Sequence, residues 1–293
     1  MHVYALGLWL LSLVLFWHAL SSLASLSLQD ERSSHILLIP LISSLLILLR
    51  RKQVFSAARS CPAVGLPLIV TAAVLWFSLK TSLSHLNNTD RLSVVASLVV
   101  MVWMAIFILC YGTSAFRVAA FPLLFLLLMI PIPVVVGERV VTLMQRGSAE
   151  ACDGLFRMIG MPFIRHGFHF SLPGVDIEVA EQCSGIHSGL SLFIAGLLLQ
   201  HFLLEATWKK VCLTLCIFPI AIFKNAVRIV TIAWLGVHVN PDFFHGQLHR
   251  QGGLPFSVLA IALLGVLLWL LRRPPSLFGK PRTSRPACIE SLT

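Results

Sequence analysis

Long apolar runs separated by short polar segments limit the folds open to this chain. Of its 293 residues, 57% are hydrophobic and only 12% are charged. A run of about 20 apolar residues crosses a bilayer as a helix, because backbone polar groups in lipid must be paired within the segment. The pattern therefore predicts an all-α integral membrane protein, organised as one membrane domain over residues 1–293, and it excludes a soluble globular domain.

We predict eight transmembrane helices and one long extracytoplasmic segment, residues 137–182. This segment has the composition of a surface helix followed by a short hairpin that turns at Pro173-Gly174. Pro122, Pro131 and Pro133 are expected to kink or end the fifth span, because proline removes a backbone donor. The predicted spans are residues 4–28, 35–49, 65–79, 94–110, 118–136, 184–204, 211–236 and 254–271.

Basic residues gather on one side of this predicted topology. Lys and Arg outnumber Asp and Glu by 22 to 12, and the surplus lies in the loop 50–59, at Arg117, at Lys209-Lys210 and in the C-terminal tail. By the positive-inside rule this side is cytoplasmic, so both termini are inside and residues 137–182 face outward. The surplus thus needs no nucleic-acid partner, and we predict a multi-pass protein of the cytoplasmic membrane.

The stretch 179–192, VAEQCSGIHSGLSL, carries the strongest chemical signal. It places Cys183 and Ser184 at the first turn of the sixth span, where the partial positive charge of a helix N-terminus favours a cysteine thiolate over the thiol. Gly185 and Gly189 form a Gly-x-x-x-Gly pair that allows close approach of another helix. Two alternatives stay open: Cys183 is a small packing residue, or it pairs with Cys152.

Three polar residues share one face of the seventh span. Lys224 and Asn225 lie four and three residues before Arg228, a spacing that brings them together on a helix. An arginine at the bilayer centre costs about 2.5 to 3.5 kcal/mol, so it needs a partner or a water-lined cavity. We expect Arg228 in the outer half of the membrane at the depth of Cys183. The alternative is a snorkelling side chain or a packing ion pair.

His249 immediately precedes the eighth span at the outer boundary. A thiol, an imidazole and a guanidinium at one depth supply a nucleophile, a proton carrier and an anion stabiliser, which supports acyl transfer or peptide hydrolysis. His245 is one turn from His249, and the pair with Asp242 as a weak third ligand would be a conceivable zinc or copper site. No His-Glu-x-x-His pattern accompanies them, and we predict no metal and no cofactor.

Several short motifs, weak singly but specific in their order, resemble those of the exosortase and archaeosortase family. The resemblance covers most of the chain. The motifs are Ser34-His35 with Pro40, Phe121-Pro122-Leu-Leu-Phe, Met129-Ile-Pro-Ile-Pro133, Leu172-Pro-Gly174, Val179-Ala, Cys183-Ser-Gly-Ile186, Asn225-x-x-Arg228-Ile, and His249 with Gly253.

The resemblance implies a membrane cysteine protease or transpeptidase. Its partners would be exported proteins with a C-terminal motif, a membrane helix and a basic cluster, and an acceptor amine or the polysaccharide machinery would complete a transfer. The family's catalytic Cys, Arg and His fall on Cys183, Arg228 and His249. Supporting or substrate-binding positions are Asn225, His187, Ser184, Lys224 and His35. His187 stands where the family commonly has Arg, so its role stays open.

A different class of protein accounts for part of the pattern. A non-enzymatic transporter or assembly scaffold for surface polysaccharide export would use Arg228 as a site for substrate charge. Transporters place polar groups near the midplane and often contain repeated halves. Here the polar groups are predicted at the outer boundary and no repeat is visible, so the enzyme is the leading hypothesis. Hydrolysis and transpeptidation are not distinguished.

Overall fold

Helices make up most of the computed structural model, which describes residues 2–30, 33–180, 186–240 and 253–272. One small sheet interrupts them. The helices are α1 His2–Leu15, α2 Trp17–Gln29, α3 Leu38–Leu49, α4 Arg51–Ser56, α5 Pro62–Leu83, α6 Asn88–Val118, α7 Ala120–Phe125, α8 Val134–Met158, α9 Ile186–Leu203, α10 Thr207–His238 and α11 Gly253–Arg272. The strands are β1 Ile164–His166, β2 His169–Leu172 and β3 Val175–Glu178.

Four of the described helices are long and apolar enough to cross a membrane: α5, α6, α10 and α11. The number rises to six if each of two bent helix pairs forms one span. The mostly helical, multi-pass fold is therefore confirmed, whereas the predicted total of eight spans is not reached among the described residues. Helix α3 has 12 residues, about 18 Å, which is shorter than the roughly 30 Å hydrocarbon core. The apolar stretch of α9, residues 188–203, is also shorter than a membrane span.

The predicted first span, residues 4–28, is broken in the middle. Helices α1 and α2 meet at Phe16 and are bent by 72° relative to each other. The run contains no proline, and no glycine lies near Phe16, so the sequence carries no local signal for this bend.

The predicted fifth span ends at Pro131 and Pro133, as expected, whereas Pro122 lies in the first turn of α7, where a proline is tolerated. After α7 a 3₁₀ turn, Leu126–Met129, leads into an extended segment, and α8 then starts at Val134, bent by 92°. Side chains from the start of α6 bind the backbone groups that this turn leaves without helical partners. The Val134 amide donates to Asp90 Oδ1 at 2.8 Å, and Ser93 Oγ donates to the Pro131 carbonyl at 2.7 Å. The turn is thus fixed by α6.

Helix α6 is the centre of the N-terminal half and contacts α1, α2, α4, α5 and α7. Its approach to α5 is so close that a Cβ on Gly65 would lie 2.7 Å from Leu109 Cα. The helix is interrupted at Gly112, whose φ of 83° is a left-handed conformation. There the Arg59 amide donates to the Tyr111 carbonyl at 2.9 Å, which joins the loop before α5 to α6.

The C-terminal half is organised around α10, which packs against α8, α9 and α11. Helix α8 corresponds to the predicted surface helix and starts close to its predicted beginning. Its buried residues recur at helical spacing on the side that packs on α10, among them Val141, Met144, Ser148 and Cys152. Its Glu150 and Arg157 stay exposed. The amphipathic pattern thus selects the face that packs on α10.

The predicted hairpin is confirmed as strands β2 and β3, with Leu172 opposite Val175 and a turn at Pro173-Gly174. Strand β1, which we did not predict, completes an antiparallel sheet in the order β1-β2-β3. Arg165 of β1 donates to Glu150 of α8 at 2.7 Å, and this hydrogen bond holds the pKa of the Glu150 carboxyl below its usual range. The sheet is therefore tied to α8.

Replacing Gly112 by alanine should strongly destabilise the protein. The new Cβ would lie 1.8 Å from the Arg59 carbonyl oxygen, and a left-handed residue other than glycine adds about 1–3 kcal/mol of strain. The measurement is the apparent Tm of the purified full chain in detergent. Gly265→Ala in α11 is the control, since nothing lies within 4 Å of its added Cβ. Equal Tm values for the two variants would contradict the described break in α6.

Candidate functional site

Two polar side chains are buried in the middle of α10. Lys224 is 3% exposed and Asn225 is 0% exposed, and both lie in the helix that forms the predicted seventh span. A buried charge or amide is costly unless hydrogen bonds compensate for the lost water. The partners of these two side chains therefore define the site.

Lys224 connects α10 to the start of α9. Its Nζ donates a hydrogen bond to Ser188 Oγ, and Ser188 is the third residue of α9. The two helices are close at this level, where Gly189 of α9 faces Ala221 of α10. A Cβ added to Gly189 would lie 3.5 Å from the Ala221 Cβ. The small face predicted around Gly189 is thus a helix contact, and Lys224 lies beside the first turn of α9.

Asn225 connects α10 to α8. Its Nδ2 donates to Ser148 Oγ at 3.0 Å, and Ser148 is itself fully buried. A glycine beside Ser148 permits this approach, since a Cβ on Gly147 would lie 2.6 Å from Ile222 Cδ1. Lys224 and Asn225 thus point to different neighbours, and α10 is held between α8 and α9 at one level.

Cys152 belongs to the same α8–α10 contact and is a free thiol. It is 0% exposed, and its Sγ lies 3.8 Å from the Ala226 carbonyl oxygen. A thiol enclosed by apolar neighbours in this way is inert, because reactive cysteines are accessible and lie in positively charged surroundings. Cys152 is therefore a packing residue of this contact, and Cys183, its partner in the open pairing alternative, lies outside the described residues.

Gln145 of α8 holds the backbone where the sheet ends. Its Nε2 donates to the Val179 carbonyl at 3.0 Å, in a buried position, and the Val179 amide donates to the Phe168 carbonyl at 3.0 Å. Val179 lies four residues before Cys183, and Ser188 lies five residues after it. The segment that contains Cys183 is therefore anchored at one end to α8 and at the other end to α10.

The structure describes the predicted site residues to different extents. Arg228 is half-buried, one helical turn beyond Lys224, on the predicted shared face of α10. His35 is half-buried in the turn before α3, where its carbonyl accepts from the Leu38 and Ile39 amides. His187 is described only as the second residue of α9. Cys183, Ser184, His245 and His249 lie outside the described residues, so their roles stay predictions.

Sequence reasoning missed three residues of this site: Gln145, Ser148 and Ser188 are the hydrogen-bond partners that connect the helices. Gln145 and Ser148 lie three residues apart on the face of α8 that is otherwise small or apolar. Polar residues on the apolar face of an amphipathic helix are a usable signal, because such groups need partners from a neighbouring element.

Fold and site together define a helical multi-pass membrane protein with a buried polar cluster where α8, α9 and α10 meet. The family model described as Transmembrane exosortase matches residues 27–269 of the chain. The chain therefore belongs to the transmembrane exosortase family, whose members are generally cysteine transpeptidases. All predicted site residues, from His35 to His249, lie within this range. The comparisons with curated proteins and with solved structures gave no match.

The Asn225–Ser148 hydrogen bond should contribute measurably to the stability of the fold. Ser148→Ala removes the acceptor of a buried amide, which should cost about 1–3 kcal/mol and lower the apparent Tm. Thr142→Ala on the same helix is the control, because Thr142 is half-buried and its solvent-exposed hydroxyl donates to the Glu138 carbonyl of its own helix rather than to another element. A Tm for Ser148→Ala that equals that of the control would show that this contact does not hold α8 on α10.

Proposed function

We propose that the chain is a cysteine protease or transpeptidase of the cytoplasmic membrane that cleaves the C-terminal sorting signals of exported proteins at the outer face. Membership of the exosortase family supports this activity. The structural observation that carries the proposal is the anchoring of the Cys183 segment. Hydrogen bonds hold the described residues on its two sides, a buried one between Val179 and α8 and a partly buried one between Ser188 and α10. Helix α10 also contains the cationic side chains Lys224 and Arg228.

In the proposed reaction, Cys183 is the nucleophile. Its thiolate attacks the carbonyl carbon of the scissile peptide bond, and the resulting oxyanion needs a positively charged or hydrogen-bonding partner. Arg228 serves this role, because its guanidinium is always charged and presents several donors in a fixed plane. Lys224 and Asn225 act as positioning residues that fix α10 beside the start of α9 and thereby set the level of Arg228.

His249 carries the proton in both halves of the reaction. It protonates the leaving amine as the carbon–nitrogen bond breaks and a thioester forms on Cys183. In the second half it takes a proton from water, giving hydrolysis, or from an acceptor amine, giving transpeptidation. When the carbon–sulfur bond breaks, the Cys183 thiolate is regenerated and His249 is again protonated, as at the start of the cycle.

The proposed orientation places both termini in the cytoplasm. It is supported by the basic residues around Arg50 and Lys209 and in the C-terminal tail, all on one predicted side. A substrate whose membrane helix ends in a basic cluster follows the same rule, so its cleavage motif emerges at the outer face. The expected orientation of the substrate thus agrees with the proposed location of Cys183 at the outer face.

The central test measures processing of a candidate substrate in cells that express wild type, Cys183→Ala, Arg228→Lys, His249→Ala or His245→Ala. Removal of the nucleophile should abolish processing. Loss of an oxyanion partner typically costs about 10²–10³-fold in rate, so Arg228→Lys should be strongly impaired. His245→Ala should stay active if His249 is the proton carrier. The membrane abundance of every variant is measured in parallel.

Cys152→Ala is the matched control, since it also removes a cysteine of the C-terminal half but one that is buried and inert. Full processing by Cys183→Ala would exclude the thioester mechanism and favour the transporter or scaffold instead. Full processing by Arg228→Lys would show that position 228 needs only a positive charge and not the planar donors of a guanidinium.

Thiol labelling of intact cells tests the orientation independently of any substrate. A membrane-impermeant maleimide added from outside should label a variant that keeps Cys183 as its single cysteine. A variant that keeps only Cys61 should be labelled only after lysis, because Cys61 is partly exposed beside the predicted cytoplasmic loop. Labelling of Cys61 but not of Cys183 in intact cells would reverse the proposed topology.

A further inference from the structure

A cavity of about 770 Å³ lies in the N-terminal half of the protein, between α1, α2, α5 and α6. Its volume falls in the range of about 300–1,000 Å³ that is typical of small-molecule sites. The walls are apolar over most of their length, formed by side chains such as Leu8, Ala72 and Val102. Its described lining belongs to these four helices and the residue after α5, and therefore not to the α8–α10 contact.

Two cationic side chains lie at one end of the cavity. Lys80 in the last turn of α5 and Arg91 in the first turn of α6 line it there, together with Ser84. Both cations are exposed, and Arg91 also donates to Asn88 at 3.0 Å. The ion pairs among the described residues join side chains of α8 and the sheet and include neither Lys80 nor Arg91. Their positive charge is thus available to an anion.

The dimensions of the cavity match one leaflet of a bilayer. The lining along α6 runs from Arg91 to Ile106, about 22 Å at 1.5 Å per residue. Half of a bilayer with its headgroup layer measures about 20–22 Å. A molecule with its anionic group at Arg91 would therefore have its apolar part at the depth of an acyl chain.

The cavity is also open to the apolar surroundings of the helices. Two of its lining side chains, Leu11 and Phe77, are 63% and 74% exposed. On a membrane protein, such apolar surface faces lipid, so a ligand can enter sideways from the bilayer. This route favours a lipid over a water-soluble anion.

We propose that this cavity is a binding site for one anionic phospholipid, with the phosphate between Lys80 and Arg91 and an acyl chain along α6. The two cations select the anionic headgroup, because each basic residue adds attraction to anionic lipid. The apolar walls supply the larger, non-selective part of the binding through burial of the chain.

The test is native mass spectrometry of the full-length protein in detergent, titrated with phosphatidylglycerol or with phosphatidylcholine of the same acyl chains. Wild type should bind one phosphatidylglycerol in preference to phosphatidylcholine. Lys80→Gln/Arg91→Gln should weaken phosphatidylglycerol binding about 30-fold. It should weaken phosphatidylcholine binding much less, because the choline cation already offsets the charge of that lipid's phosphate. Ala73→Trp, which fills the cavity without changing charge, should weaken binding of both lipids.

Arg51→Gln/Lys52→Gln is the matched control. It removes two exposed cations of α4 that do not belong to the described lining of the cavity, and it should bind both lipids like wild type. Inorganic phosphate at millimolar concentration should not displace the bound lipid, since it lacks the apolar part.

Three results would overturn the proposal. The first is equal binding of the two lipids by wild type, and the second is an equal loss of phosphatidylglycerol binding in the control and in Lys80→Gln/Arg91→Gln. The third is an Ala73→Trp variant that binds both lipids like wild type but no longer processes substrate, which would assign the cavity to the membrane helix of the substrate.

Discussion

The burial of Lys224 and Asn225 in the middle of α10 is the constraint on which the C-terminal half depends. An ammonium group and an amide within apolar surroundings are tolerated only with partners, and these come from two other helices. One contact sets the distance between α10 and α9, and the other sets that between α10 and α8. Apolar packing alone allows helices to slide, whereas these hydrogen bonds fix one level along the axis of α10.

This arrangement also explains why α8 is part of the proposed catalytic apparatus. Helix α8 binds Asn225 through Ser148 and holds the end of the sheet through Gln145. The same helix therefore positions both α10 and the backbone that leads to Cys183. Rigid support of this kind is what a nucleophile and its oxyanion partner require, because small displacements of reacting groups have large effects on rate.

Features set by the local sequence could be predicted, and those set by distant contacts could not. Pro131 and Pro133 end the fifth span because the proline ring removes a backbone donor and fixes φ. Pro173-Gly174 marks the hairpin turn through the same kind of local backbone constraint. The bend at Phe16 and the strand β1 have no such local signal, since no proline or glycine lies near Phe16 and β1 has only three residues. The polar positions of α10 were identified from their cost in a membrane. Their partners Ser148 and Ser188 are 77 and 36 residues away in the chain, and one sequence does not reveal such pairings.

The contact between Asp90 and the start of α8 has a consequence for biosynthesis. Its two partners are separated by 44 residues, which a ribosome adds in about 2–9 s at 5–20 residues per second. During that interval the nascent chain contains the carboxylate but not the amide that it binds. The N-terminal helices are therefore made before the turn into α8 can close, and α9 and α10 follow later still. Assembly of the polar cluster therefore follows synthesis of the N-terminal helices and of the turn into α8.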